Sequence, residues 1–110
     1  SVTVESLVRS ILPTEMETGL YRISQELIQN TLKHAGATAI AFSLAEDYEY
    51  IQFRYEDNGK GVDPTQVQHG LGFKNIESRA QAIGGKVEYP TAANGFVCLL
   101  RFPVPDQSNT

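Results

Sequence analysis

Residues 26–35 read ELIQNTLKHA, and this short stretch decides how the chain is interpreted. Its polar side chains Glu26, Asn30 and Lys33 are separated by four and three positions. On an α-helix, which turns by about 100° per residue, these three positions fall within about 60° of one another. Such a helix presents a carboxylate, an amide and a cation together at the edge of its apolar face.

Side chains of these three types suit a metal-bound phosphate chain. The Asn30 oxygen is a kind of ligand that Mg²⁺, a hard cation, accepts. The Glu26 carboxylate can orient or deprotonate a hydroxyl, a water or an imidazole, and the Lys33 ammonium offers a point charge to phosphate. An ordinary solvated helix edge explains the same residues, so the helix alone leaves both interpretations open.

The stretch belongs to a longer predicted helix over residues 15–35. Thr14 and Glu17 have the spacing of a capping box, with Pro13 stopping any earlier helix, and Gly36 follows as a C-terminal cap. The buried stripe recurs at intervals of three and four, as in an amphipathic helix: Met16, Leu20, Ile23, Leu27 and Thr31.

The rest of the chain predicts further strands and a second helix. Alternating apolar residues indicate strands near 40–44, 51–55, 86–89 and 96–102, with a hairpin loop at 46–49 and a second helix over 72–83. The expected fold class is α+β, a two-layer sandwich with helices on one face of a mostly antiparallel sheet.

Length, charge and composition limit the possible domain organisation, partners and localisation. The 110 residues suit one compact domain, expected over 14–104, with a first strand or linker remnant at 1–13 and a polar tail at 105–110. The net charge of −4 argues against nucleic acid or an anionic membrane as partners. No membrane span or signal peptide is recognised, so we expect a soluble, cytoplasmic segment. The single cysteine, Cys98, lies among apolar neighbours and is expected to be buried in a strand.

Two glycine-containing segments are candidates for ligand contact. Asp57-Asn58-Gly59-Lys60-Gly61 ends a predicted strand, where glycines allow close approach of a ligand and the aspartate can accept a hydrogen bond from an exocyclic amine. Gly70-Leu71-Gly72 precedes the second helix, whose N-terminal amides and dipole favour an anion. An ordinary turn also explains the Asn58-Gly59 pair. The Gly-x-Gly is a weak signal by itself, and it is not a Walker loop because no Gly-Lys-Ser/Thr follows.

Taken in order, these segments resemble a known fold. A helix with Glu-x-x-x-Asn, a hairpin ending in Asp-x-Gly-x-Gly and a Gly-x-Gly before a second helix resemble the nucleotide-binding fold of gyrase, Hsp90, histidine kinases and MutL. The strings at 21–26 (YRISQE), 30–35 (NTLKHA) and 70–79 (GLGFKNIESR) are similar to histidine kinases of the nitrate-sensor and DesK type. This resemblance implies an ATP-binding catalytic domain of a bacterial sensor histidine kinase.

The resemblance implies ATP and Mg²⁺ as cofactors and gives the matching residues roles. Asn30 would bind the magnesium, Glu26 would assist proton transfer or orient the phosphoacceptor, and Asp57 would bind the adenine amino group. Residues 62–69 would be a mobile lid. The other ATP-binding positions follow from the same match: Lys33 and His34 at the phosphates and ribose, Gly59 and Gly61 around the adenine, and Gly70, Leu71 and Gly72 at the phosphates.

The chain departs from the family pattern at two places. A late Gly-x-Gly-Thr-like motif is reduced to Asn94-Gly95-Phe96, so no binding role is assigned there. Nothing resembles the segment that carries the phosphorylated histidine, because His34 belongs to the helix string and His69 to the lid. The resemblance therefore implies two partners: a dimerisation and histidine phosphotransfer domain of the same kinase, and a downstream response regulator. We expect the parent protein to be anchored in the inner membrane.

Two other functions stay open at this stage. An anti-sigma-factor-like protein serine kinase shares the fold, although the strings around Lys33 and after Gly72 speak against it. A nucleotide-binding docking module without catalysis would also keep the fold, although Glu26, Asn30 and Asp57 are all intact.

Overall fold

The computed structural model describes residues 2–8, 12–32, 36–59, 71–90 and 95–105. These residues form one sheet and two helices, with the buried side chains of both helices in the same core as the sheet. The predicted α+β architecture is confirmed. The elements are β1 Val2–Leu7, α1 Thr14–Asn30, β2 Ile40–Glu46, β3 Tyr50–Asp57, α2 Leu71–Ala82, β4 Lys86–Glu88 and β5 Phe96–Pro103.

The sheet has the strand order β1-β2-β3-β5-β4. Only the β1–β2 pair is parallel, which makes α1 a crossover between two neighbouring strands, and the other pairs are antiparallel. Along β3, Ile51, Phe53, Tyr55 and Asp57 are buried while the residues between them are not. This alternation is the period of two that the sequence predicted for a sheet covered on one face.

A short turn joins β2 to β3 at the predicted place. Asp47 closes it, because its Oδ1 accepts hydrogen bonds from the backbone N–H of Glu49 at 2.8 Å and of Tyr50 at 2.7 Å. These bonds, Tyr50 first, lower the pKa of the Asp47 carboxyl. The turn fixes the register in which Phe42 faces Tyr55 across the pair.

The start of α1 corrects the predicted capping box. The helix begins at Thr14, so Pro13 is the capping residue, and no side chain makes a cap hydrogen bond. Instead, the Pro13 carbonyl accepts from the N–H groups of Met16 and Glu17 at 3.0 and 3.1 Å. Thr14 lies one position inside the helix, where helical backbone angles deny its side chain the geometry that an N-cap residue uses.

Glycines end α2 as the sequence predicted. Gly84 has a φ of +77°, the left-handed conformation that a residue after a helix commonly adopts. Gly36 also has a positive φ, +61°, but α1 is described to Asn30 with Thr31 as its C-cap, so the Gly36 cap stays a prediction. The Gly85 N–H donates to Ala80 O at 2.8 Å, which closes the end of α2. The predicted end of the first helix, at residues 33–35, lies outside the described residues.

The core lies between the helices and one face of the sheet. In its centre, Cys98 is fully buried on β5 and faces Tyr55 across the β3–β5 pair, so the expected burial is confirmed. Burial raises the pKa of the thiol from 9.0 to about 12. The other buried core residues come from the apolar stripes of α1 and α2 and from β3 and β5: Leu20, Ile23, Leu27, Phe73, Ile76, Ala80, Ile51, Phe53, Phe96, Leu100 and Phe102.

Neither described helix is long and apolar enough to cross a membrane. α1, the longer of the two, has 17 residues and carries exposed charged side chains along its length.

Candidate functional site

The end of α1 meets the end of β3. Thr31, the residue after Asn30, donates a hydrogen bond from its hydroxyl to Oδ2 of Asp57 at 3.0 Å. The same hydroxyl also lies in contact with the hydroxyl of Tyr55. This buried contact brings the helix that carries Glu26 and Asn30 to the strand end that carries Asp57, two segments that sequence reasoning could join only through resemblance.

Asp57 is buried, with only 7% of the residue exposed. Both of its carboxylate oxygens accept hydrogen bonds. Oδ2 accepts from Thr31 and from the Tyr55 hydroxyl, each at 3.0 Å. Oδ1 accepts from the backbone N–H of Gly59 at 2.9 Å. An ionised carboxylate offers about four acceptor positions. Three are filled, so one acceptor position on Oδ1 has no partner among the described residues.

Tyr55 supplies one of these hydrogen bonds from within the core. Its residue is fully buried, and its ring lies against Phe42 and Phe96 at centroid distances of 5.2 and 6.1 Å. Burial raises the pKa of the phenol strongly, the hydrogen bond with Thr31 opposes this shift, and the charge of Asp57 adds to it. The phenol therefore stays protonated near neutral pH and remains a donor to Asp57.

Asn58 ties the end of β3 to the segment that leads into β2. Its side-chain Oδ1 accepts from the N–H groups of Thr38 and Ala39 at 2.9 and 3.0 Å, and its Nδ2 donates to the Thr38 hydroxyl at 2.9 Å. The Asn-Gly pair is thus more than a turn signal. Asn58 fixes the strand end while its neighbours Asp57 and Gly59 share a hydrogen bond.

Gly95 packs directly on the backbone of Asp57. It has a φ of +79°, and a Cβ on it would approach the carbonyl carbon of Asp57 to 2.9 Å and Cα of Asn58 to 3.2 Å. The sequence predicts no binding role for the Asn94-Gly95-Phe96 string. The contact follows from the strand register, which pairs Phe96 with Asp57 and so brings the preceding residue, Gly95, to the end of β3.

Asn30 and Glu26 lie one helical turn apart on α1, and both are half-buried. The Nδ2 atom of Asn30 is buried and has no hydrogen-bond partner among the described residues. An unpaired buried amide costs about 1–3 kcal/mol. The Asn30 side chain therefore has unused polar capacity beside the Thr31–Asp57 contact.

The other predicted positions divide into two groups. Leu71 and Gly72 are the first two described residues of α2, one residue earlier than the predicted start at Gly72. Lys33, His34, Gly61, Gly70 and residues 62–69 lie outside the described residues.

A metal ion bound near Asn30 would need further ligands besides the side chains of the described residues. Within the described ranges, no three His, Cys, Asp or Glu side chains come together to hold a metal ion. Mg²⁺ commonly keeps several waters and takes one or two protein oxygens together with phosphate oxygens. The half-buried Asn30 amide fits that mode, because its oxygen can ligate a cation.

The fold and the site define a class of protein: nucleotide-binding domains with an asparagine at the end of one helix and a buried aspartate at the end of a strand. The family of histidine kinase-, DNA gyrase B- and HSP90-like ATPases matches residues 15–106. The chain belongs to this family.

Several of the proteins that the chain resembles are sensor kinases. Sensor protein VraS of Staphylococcus saprophyticus is 40% identical over 74 residues, which are 66% of this chain and 21% of that protein. The ATP-binding domain of PrrB from Mycobacterium tuberculosis is 25% identical with a TM-score of 0.70, covering 96% of this chain and 82% of that one. Histidine kinase AdeS of Acinetobacter baumannii has a TM-score of 0.78 at 14% identity, covering 96% of this chain and 54% of that one, and supports the fold alone.

The chain is thus similar to the ATP-binding domains of sensor histidine kinases. The aligned region spans about a fifth of the VraS sequence, 21%. Membership of the nitrate-sensor or DesK subclass stays a prediction.

Proposed function

We propose that this domain binds Mg-ATP and presents its γ-phosphate to a histidine on a separate dimerisation domain, as the catalytic part of a two-component kinase. The observation that carries the proposal is the Asp57 carboxylate. It is buried, fixed by three hydrogen bonds, and has one acceptor position on Oδ1 that no described residue fills.

Adenine is the base that suits this acceptor. The exocyclic amine of adenine donates a hydrogen bond to Oδ1 of Asp57, whereas guanine has a carbonyl at the same ring position. Two acceptors that face each other leave a buried polar group unpaired, at a cost of about 1–3 kcal/mol. The domain therefore selects ATP over GTP.

The phosphates lie toward the end of α1 and the start of α2. Asn30 holds the magnesium, which when bound neutralises charge on the phosphate chain. Lys33, His34 and the segment from Gly70 to Gly72 contact the nucleotide, the glycine segment through amides at the helix N-terminus. Gly59 and Gly61 shape the adenine pocket. Support comes from the Nδ2 of Asn30, which has no hydrogen-bond partner among the described residues.

Glu26 acts on the acceptor side of the site. Its carboxylate, one turn before Asn30, orients the acceptor imidazole or takes its proton during transfer. The acceptor belongs to the dimerisation domain of the same kinase, and a response regulator receives the phosphate next. We place the domain on the cytoplasmic side of a kinase that is anchored in the inner membrane.

A competition titration tests the proposal. Displacement of a fluorescent ATP analogue, with magnesium present, should give an ATP dissociation constant between micromolar and millimolar, about −4 to −8 kcal/mol. ATP should bind about tenfold to a hundredfold more tightly than GTP. Equal affinities for the two nucleotides would contradict the role of Asp57.

Variants locate the effect. Asp57→Asn should weaken ATP binding and remove the preference over GTP. Glu56→Gln changes the neighbouring carboxylate, which is exposed and paired with Arg54, and should leave both affinities unchanged. Asn30→Ala should remove the magnesium dependence of ATP binding; undiminished dependence in that variant would place the metal elsewhere.

A further inference from the structure

The hydroxyl of Tyr55 is not explained by the core around it. Tyr55 stands in the buried row of β3 between Phe53 and Asp57, and the residues opposite it are Phe42 on β2 and Cys98 on β5. A phenylalanine ring would fill the same space against the same apolar neighbours. A buried tyrosine hydroxyl generally has a hydrogen-bond partner, and here the partners are Thr31 and Asp57.

Two hydrogen-bond donors on Oδ2 fix the rotation of the Asp57 carboxylate about the bond that joins it to the rest of the side chain. A carboxyl group attached by a single bond has a broad rotational preference about that bond, so a lone aspartate presents either oxygen in several directions. Tyr55 and Thr31 both engage Oδ2, from the strand and from the helix, while the Gly59 N–H engages Oδ1. The plane of the carboxylate is then fixed, and the remaining acceptor position points in one direction.

We infer that Tyr55 is a positioning residue that, together with Thr31, sets the selectivity of the site for a 6-aminopurine over a 6-oxopurine nucleotide. The inference rests on the proposed adenine contact of Asp57. Tyr55 does not touch the base. It holds Oδ2 so that Oδ1 faces the amine, and a carboxylate that is free to turn discriminates less between a donor and an acceptor on the base.

The test compares ATP with inosine triphosphate, in which a carbonyl replaces the amine at the same ring carbon. Both are titrated in competition at one magnesium concentration against the whole domain and against Tyr55→Phe. The unchanged domain should prefer ATP by at least about tenfold. In Tyr55→Phe the ratio of affinities should fall about fivefold or more, mainly by loss of ATP affinity, with inosine triphosphate affinity nearly unchanged.

Tyr89→Phe is the matched control. Tyr89 is a second tyrosine with a buried hydroxyl, and this hydroxyl has no partner among the described residues. Its ring packs on Phe73 and Phe96 at 5.3 and 5.8 Å. Removal of its hydroxyl should leave the ratio of the two affinities as it is in the unchanged domain.

Thr31 tests the same oxygen from the helix side. Thr31→Val removes the hydroxyl and should lower the ratio as Tyr55→Phe does, whereas Thr31→Ser keeps the hydroxyl and should restore it. If Tyr55→Phe fails to fold, judged by far-UV circular dichroism, the Thr31 pair decides the question by itself.

Three results would overturn the inference. One is an unchanged ratio in folded Tyr55→Phe or Thr31→Val. Another is a parallel loss of both affinities, which indicates a general structural role. The third is an equal affinity of the unchanged domain for ATP and inosine triphosphate, and this result alone would also overturn the proposed adenine contact.

Discussion

Gly95 shows how closely the site depends on single residues. The backbone of Asp57 leaves no room for a side chain there, since a Cβ on Gly95 would crowd the Asp57 carbonyl carbon and Cα of Asn58. The positive φ of +79° adds a second reason for glycine. The residue therefore determines where the strand end with the candidate adenine-binding carboxylate lies.

Gly95→Ala should destabilise the domain more than a comparable change elsewhere. Gly84 is the matched site, because its φ is +77° and nothing lies within 4 Å of its Cβ position. Gly84→Ala should lower the free energy of unfolding by about 1–2 kcal/mol through backbone strain alone. Gly95→Ala should lower it by about 1–3 kcal/mol more through the close contact, and should weaken ATP binding as well. Denaturant unfolding measures both variants, and equal losses would speak against the packing argument.

At the scale of elements, regular patterns predicted the helices and strands, but not the contacts between them. The stripe of α1 and the alternation of β3 are local and were readable from the sequence. Thr31 was predicted as one more buried position, and its bond to Asp57, 26 residues away, depends on strand register and helix placement. The capping box failed for a local reason, since the helix begins one residue earlier than the Thr-x-x-Glu spacing requires.

Asn58 offers a test at this scale. Asn58→Ala removes the hydrogen bonds to Thr38 and Ala39 and should lower the free energy of unfolding by about 1–2 kcal/mol. Amide hydrogen exchange should accelerate at Thr38 and Ala39, because local opening there becomes easier.

The hairpin turn provides the control for that experiment. Asp47→Ala removes an analogous pair of bonds, to the N–H groups of Glu49 and Tyr50. Exchange should accelerate at Glu49 and Tyr50 and stay unchanged at Thr38 and Ala39. Acceleration of the same amides in both variants would show a general loosening in place of a local one.

For the molecule as a whole, the proposed kinase reaction has two substrates, and the described residues are assigned to one of them, the nucleotide. Asn30, Asp57 and the start of α2 suit a nucleotide, and phosphoryl transfer further requires an acceptor in line with the γ-phosphate. The resemblance places both histidines of this chain, His34 and His69, on the nucleotide side.

Radiolabelled ATP should therefore leave no stoichiometric label on the domain alone. Addition of a dimerisation domain that carries its histidine should produce an acid-labile phosphoryl label on that domain. Glu26→Gln should slow the labelling about a hundredfold or more, as expected for loss of a group that assists proton transfer.

Other outcomes of the labelling experiment have clear meanings. Label on the lone domain, mapped to His34 or His69, would contradict the division between nucleotide and acceptor. An acid-stable label on a partner would favour a serine kinase, and ATP binding with no transfer to any acceptor would favour a docking module.

The burial of Cys98 also gives the domain a built-in reporter. It is the only thiol in the chain, it is fully buried, and a raised pKa keeps it in the unreactive protonated form. A thiol reagent can then modify the native protein only when the core opens, so the modification rate follows the opening equilibrium. A bound nucleotide suppresses opening by the factor 1 + [L]/Kd. The protection of one natural cysteine thus reads out nucleotide affinity in unlabelled protein, for the original chain and for every variant that keeps Cys98.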